Sequence, residues 1–309
     1  MSSRDHSLAQ SEQTSVRPAV RWQLVTRSLD FAQGPCVMGI VNVTPDSFSD
    51  GGNFIATAAA VEHALRLAAE GASILDIGGE STRPGASPVE TDEELQRVVP
   101  VIEEVCRQTT VPISIDTSKA AVAEAALAAG AEIINDVSGL AGDARMLAVA
   151  ASSGAGVCAM HMRGTPQTMQ QNPTYSDVVA EIYDYLGVRR DVLREAGIES
   201  NRICLDPGIG FGKTHQHNLD LLACCHRFHA LGCPLLLGPS RKGFIAKVIA
   251  DRTADRTPGT IGVVLSLAQQ GVQVLRVHDV GPVHQALLLF QATGGVDGVG
   301  SFPDTSRHS

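Results

Sequence analysis

Asn42 closes the apolar run Met38-Gly39-Ile40-Val41 and leads into Val43-Thr44-Pro45-Asp46-Ser47-Phe48-Ser49-Asp50-Gly51-Gly52, a loop of oxygens and turn-formers. A buried strand has no packing reason to end in an amide followed by two carboxylates, so the loop is there for a ligand. Hard oxygen donors of this kind suit magnesium. Seven further apolar runs end on polar groups: Glu80 with Ser81-Thr82-Arg83, Asp116, Asn135 with Asp136, His161, Asp206, Ser240-Arg241-Lys242, and Arg276 with His278. Any one of them would pass as an N-cap or a satisfied turn-former. Eight together point to one shared mouth.

These residues fall into two chemical groups. Asp116, Asn135, Asp206 and Lys242 offer carboxylates, an amide and an ammonium, a set that reads the donor and acceptor edge of a flat nitrogen heterocycle. Asn42, Thr82, Arg83, Arg276 and His278 offer cationic or neutral donors with one oxygen ligand, which suits a magnesium diphosphate. The alternation Val274-Leu275-Arg276-Val277-His278 puts Arg276 and His278 on one strand face, a cationic pair aimed at an anion. A heterocycle carrying a diphosphate leaving group satisfies both groups. Should its bond to diphosphate break early, the cations stabilise the leaving group and Asp116 the positive charge left behind. No strand-end Ser with an adjacent His and Asp offers a covalent route.

Other motifs read more plainly. Asp206-Pro207-Gly208-Ile209-Gly210-Phe211-Gly212-Lys213-Thr214 resembles a nucleotide loop, but a Walker A sequence needs glycine where Pro207 stands, and a dinucleotide fingerprint follows a first strand, not a sixth. A strand-end carboxylate followed by low-lying glycines, with Phe211 as a packing surface for the ligand, fits better. His215 and His217 look like a metal pair but lack a ligand cluster at the right spacing, so they read as a solvated loop pair. His226 and His229 read as ordinary helix residues. Lys and Arg at a helix start oppose the dipole, so Ser240-Arg241-Lys242 is there to bind.

Elements must deliver these groups to one place. Glycines at 71, 130, 154, 197, 232 and 271 each close a helical pattern just before an apolar run. Reading outward from them predicts strands at Val37–Asn42, Ile74–Gly78, Ile113–Asp116, Ile133–Val137, Val157–His161, Ile203–Asp206, Leu235–Gly238 and Val274–Val277. Eight βα units make a (β/α)8 TIM barrel, an α/β fold of one domain over residues 19–293, with polar, mobile tails at 1–18 and 294–309. Within the second helix, Thr91 and Glu94 form a capping-box pattern ahead of the apolar face Leu95, Val98, Val99, Ile102 and Val105. Low aromatic content (4%) and 30 glycines fit layered aliphatic packing. A net charge of −9 without a basic run argues against nucleic acid. Seven cysteines without a C-x-x-C pair read as reduced thiols of a cytoplasmic protein, and no apolar run is long enough for a membrane.

The chain resembles the dihydropteroate synthase family from about Val37 to Ala292. The match runs through the Asn42 loop, Gly79-Glu80-Ser81-Thr82-Arg83-Pro84-Gly85, Ile115-Asp116-Thr117-Ser118-Lys119, Ile134-Asn135-Asp136, the Asp206 glycine motif, Ser240-Arg241-Lys242 and Arg276-Val277-His278-Asp279. The resemblance implies condensation of 6-hydroxymethyl-7,8-dihydropterin diphosphate with 4-aminobenzoate, in a homodimer. It implies that Asp116, Asn135, Asp206 and Lys242 hold the pterin beside Arg276 and Phe211, with Asp116, Lys242, Arg276 and His278 catalytic. Asn42 would take magnesium; Thr82, Arg83, Arg276 and His278 the diphosphate; Phe48, Pro84 and Phe211 the aminobenzoate, where sulfonamides compete. Many relatives carry serine after Ser-Arg-Lys, whereas this chain has Gly243, whose backbone N–H remains for the carboxylate. A pterin-dependent methyltransferase would need the pterin group without the diphosphate group, and a silent pterin-binding paralogue would keep both.

Overall fold

The structure, a computed structural model, describes residues 17–43 and 52–295. Phe48, Asp46, Asp50 and most of both tails lie outside the described residues. A short antiparallel hairpin, β1 (Arg21–Gln23) and β2 (Ser28–Asp30), precedes eight parallel strands: β3 (Cys36–Asn42), β4 (Ile74–Gly78), β5 (Ile113–Asp116), β6 (Ile133–Asp136), β7 (Gly156–Met160), β8 (Ile203–Asp206), β9 (Leu236–Leu237) and β10 (Val274–Val277). Their order is β8-β7-β6-β5-β4-β3-β10-β9, and a bridge between Leu205 and Leu235 joins the two ends into a barrel. Around it run α1 (Gly52–Ala69), α2 (Thr91–Gln108), α3 (Ala120–Ala128), α4 (Met146–Ser153), α5 (Val178–Glu195), α6 (His215–Ala223), α7 (Gly243–Val248), α8 (Thr257–Gln269) and α9 (Val280–Ala292). No described helix is long and apolar enough to cross a membrane.

Strand alternation sorts the apolar residues into two cores. Outward-facing Leu75, Ile77, Ile115, Ile134 and Val277 pack beneath the helices, while inward-facing Met38, Ile74, Ile133, Cys158, Cys204 and Val274 fill the barrel's N-terminal half. That inner cluster is closed from below by the hairpin, which the sequence pattern did not announce. Trp22 is fully buried in it and donates from Nε1 to the Arg202 carbonyl at 2.9 Å. Gly156 makes room, since a Cβ there would stand 2.7 Å from Leu24 Cδ2.

Six of the predicted helix-closing glycines have positive φ, between 74° and 113°. Two local expectations change. The strand expected over Leu235–Gly238 shrinks to two residues, because Pro234 has no N–H and the Leu235 N–H is taken by Gln273 Oε1 at 2.8 Å. The capping box at Thr91 does not form: Glu90 is the N-cap of α2, without a side-chain bond, and Glu94 turns inward to meet Lys119 Nζ at 2.5 Å. The apolar face of α2 is as predicted, with Val98, Ile102 and Val105 buried.

Candidate active site

The barrel's C-terminal half is as polar as its N-terminal half is apolar. Arg276, from β10, reaches across the interior so that Nε lies 2.5 Å from Asp76 Oδ2 and Nη2 lies 2.7 Å from Asp116 Oδ2. Asn135, from β6, donates to Asp76 Oδ2 at 3.2 Å. Asp76 is completely buried and was not singled out in the sequence, since it sits in the middle of an apolar strand; only the inward alternation Ile74, Asp76, Gly78 marks it. Placing three charges here costs several kcal/mol per ion in desolvation, a poor return in stability, so the cluster exists for what it presents to a ligand.

Burial shapes the acidity of this floor. It pushes Asp116 up to about 7, with Asp76 and Asp136 adding to the rise and Arg276 opposing it. It lifts Asp206 to about 6 against the Gly208 N–H and the charges of Lys213 and Lys242. It works against the charge on Arg276 too, yet Asp76 and Asp116 hold that guanidinium above its ordinary value. Lys242 falls to about 8 through burial and the nearby Arg276, and its Nζ lies 4.2 Å from the centre of the Phe211 ring.

Above the floor opens a cavity of about 820 Å³, lined by Asn42, Thr82, Arg83, Pro84, Asp116, Phe211, Lys242, Gly243, Arg276 and His278 among others. Asn135 and Asp206 sit deeper, 5% and 6% exposed. The Asn42 carboxamide and the Arg83 guanidinium bond no described side chain or carbonyl, so both are free for a ligand. His278 Nδ1 lies 3.0 Å from Ser240 Oγ. Burial and the cations Arg241 and Arg276 bring His278 down to about 4, so it is neutral at pH 7. The expected cationic pair is therefore one cation and one neutral donor until an anion arrives.

The glycine motif explains itself by close approach. Gly208 and Gly212 have φ of 72° and 64°, and a Cβ on them would stand 2.0 Å from the His161 carbonyl and 2.6 Å from that of Arg163. The loop after β8 thus lies directly on the loop after β7. Lys213, to which the sequence reading gave no role, fastens the two: its Nζ donates to Phe211 O at 2.8 Å and to His161 Nδ1 at 3.1 Å. Burial lowers Lys213 to about 7, and burial with Lys213 lowers His161 to about 3. His161 is a support for this loop and does not line the cavity.

Several candidates are held by other protein groups, though Glu80, Arg241 and His215 also line the cavity. Asp136 faces away from the barrel and caps the turn through the Ser138 and Leu140 N–H groups. Glu80 pairs with Lys119, and Arg241 with Asp279 at 2.5 Å. His215 and His217 do not lie in a loop: they open α6, where His217 completes a capping box with Thr214. His226 and His229 lie on a 3-10 helix, both bonded to Gln270.

Among the described residues no group of three His, Cys, Asp or Glu could hold a metal alone. Asn42, an oxygen donor at the mouth whose side chain bonds no other described residue, fits a magnesium ion that would take its remaining ligands from phosphates and water.

Residues 38–278 match the model of a family described as pterin binding enzyme. The chain is 46% identical over 266 residues to the dihydropteroate synthase of Escherichia coli K12, covering 86% of this chain and 94% of that one. A structure of Xanthomonas albilineans dihydropteroate synthase with 4-aminobenzoic acid superposes with a TM-score of 0.83 at 45% identity, covering 92% of this chain and 100% of that one. The same enzyme in complex with 7,8-dihydropteroate gives a TM-score of 0.80 at 43% identity, with the same coverage.

Proposed function

We propose, since the chain belongs to the pterin-binding enzyme family and within it to the dihydropteroate synthases, that it condenses 6-hydroxymethyl-7,8-dihydropterin diphosphate with 4-aminobenzoate, releasing 7,8-dihydropteroate and diphosphate in folate biosynthesis. The observation that carries the site-level reading is Arg276 held between Asp76 and Asp116, beneath a mouth where Arg83 and Asn42 stand free. Asp116, Asn135 and Asp206 offer the pterin ring acceptors and an amide, with Lys242 and Phe211 beside it. Thr82, Arg83 and His278 take the diphosphate.

The chemistry follows from where charge grows. As the methylene C–O bond breaks, negative charge gathers on diphosphate, near Arg83 and His278, and positive charge spreads into the pterin, near Asp116. The aryl amine then forms its C–N bond to the methylene and gives up one proton. Asn42 would hold a magnesium ion, which would supply charge neutralisation for the departing diphosphate. This reading predicts that EDTA in excess of metal abolishes dihydropteroate formation and that added magnesium restores it; undiminished turnover would remove the metal. The same assay separates a synthase from a methyltransferase and from a silent pterin binder, neither of which makes dihydropteroate.

A homodimer belongs to the same reading. Between α6, α7 and α8 lies an apolar cleft of about 350 Å³, with Val248 and Ile249 exposed beside it, a surface of the kind a second copy covers. Seven free cysteines, four of them buried, support a reducing, cytoplasmic setting.

A further inference from the structure

The end of the cavity beyond Lys242 carries more positive charge than the diphosphate reading uses. Gly243 and Lys247 lie four residues apart on α7, hence on one face, and both line the cavity together with Arg256. Lys247 has no hydrogen bond or ion pair with any described residue. Among the described residues the Arg256 guanidinium donates only to backbone carbonyls, to Arg241 O at 2.9 Å and Arg252 O at 3.4 Å. Of the other cations nearby, Arg241 is engaged by Asp279, Arg276 by Asp76 and Asp116, and Lys242 lies over the Phe211 ring. The wall at Gly243 is bare, because a Cβ there would meet nothing within 4 Å. In a protein of net charge −9, two cations without a carboxylate partner among the described residues, both lining one cavity, mark a place for an anion.

We propose that Lys247, backed by Arg256 and exposed to the cavity by Gly243, is the counter-charge for the carboxylate of the amine substrate and so a specificity-determining residue of this chain. The inference rests on the reading of the chain as a dihydropteroate synthase. An aminobenzoate carries its carboxylate para to the attacking nitrogen, so with the amine over the pterin methylene the charge points away from the barrel floor and toward the rim. The diphosphate is left to Arg83, on the loop after β4, and to His278, which bonds Ser240 at the start of the Ser240-Arg241-Lys242 turn. A lysine at this rim is solvated, so its contribution is modest and screened by salt, about five-fold in affinity at low ionic strength.

Steady-state kinetics of Lys247→Gln and Lys247→Arg, with sulfanilamide as a neutral competitor of similar shape, test this directly. In Lys247→Gln the KM for 4-aminobenzoate should rise about five-fold at low salt, with kcat, the KM for pterin diphosphate and the sulfanilamide Ki retained. Lys247→Arg should restore the wild-type KM, and salt should raise KM in the wild type but not in Lys247→Gln. An unchanged 4-aminobenzoate KM overturns the proposal. So does a rise matched by sulfanilamide, which would mean a misshapen site, or a rise confined to pterin diphosphate. Absence of dihydropteroate with the wild type would instead sink the reading of the activity itself.

Discussion

Asp76 and Asp116 both bond the Arg276 guanidinium, so removing charge from either changes the balance of all three. Asp116 is the one that also lines the cavity, and its amide analogue keeps part of the hydrogen bonding while losing the charge opposite the developing cation. Asp116→Asn should therefore lower the single-turnover rate on the order of 100-fold, with a much smaller change in pterin affinity. Equal losses in rate and affinity would make Asp116 a binding residue only. The acid limb of the pH profile belongs to the same group. Its pKa is raised to about 7 by burial, and the ionised form does the work, so kcat/KM should climb as pH rises through about 7 and fall on the acid side. That limb should disappear or move in Asp116→Asn. Asp116 was legible in the sequence because it ends a strand. Asp76 was not, because a carboxylate between Leu75 and Ile77 looks like a flaw in an apolar run until the barrel interior gives it Arg276. Lys213 was passed over for a related reason: its partners are the Phe211 carbonyl and His161, which no spacing in the chain connects.

Elements whose apolar pattern is long and bounded by glycine could be read almost to the residue, as at Ile74–Gly78 and Val274–Val277. The hairpin β1–β2 could not, because each of its strands is three residues long and its burial comes from distant parts of the chain. Those partners all stand just before barrel strands: Glu132 Oε2 accepts from Thr26 N and Oγ1 at 2.9 Å, Arg202 O from Trp22, and Gln273 Nε2 donates to Ala19 O at 3.0 Å. The hairpin thus closes the end opposite the active site. Trp22→Ala should cost about 3–5 kcal/mol of stability, since it empties the largest fully buried side-chain site and orphans the Arg202 carbonyl. Denaturant unfolding measures the loss, while kcat per folded molecule should stay near wild type. A variant as stable as the wild type would show that the hairpin is only an ornament on a barrel that seals itself. Glu94 teaches the converse about local pattern: its spacing from Thr91 suits a cap, but Lys119, brought by the next βα unit, competes successfully for the carboxylate.

Across the whole molecule, the parts of the mouth come from distant βα units and are assembled by charge that the empty protein does not balance. Arg83 and Pro84 sit side by side on the loop after β4 and both line the cavity; in the proposed reading one would face the diphosphate and the other the aminobenzoate ring. Two hydrogen bonds tie the segment from Ser81 to Ser87 to the loop after β7: Gly85 N donates to Pro166 O at 3.1 Å and Gln167 Nε2 to Ala86 O at 3.0 Å. Arg83 and Pro84 themselves remain exposed, and the companion loop from Thr44 to Gly51 lies outside the described residues. An anion on Arg83 would fix the loop that carries Pro84, so that the first substrate would build the wall for the second. Two anions in one cavity would also repel, and a magnesium ion on the diphosphate would offset that cost. The outcome expected is positive coupling, with 4-aminobenzoate binding at least five-fold tighter when magnesium and diphosphate are present. Calorimetric titration of 4-aminobenzoate into the protein alone, and into protein with both, measures it. Linkage requires the same factor when diphosphate is titrated into protein holding 4-aminobenzoate, which guards against an artefact of ionic strength. Equal affinities in the two titrations would mean that the aminobenzoate wall stands complete before any diphosphate arrives.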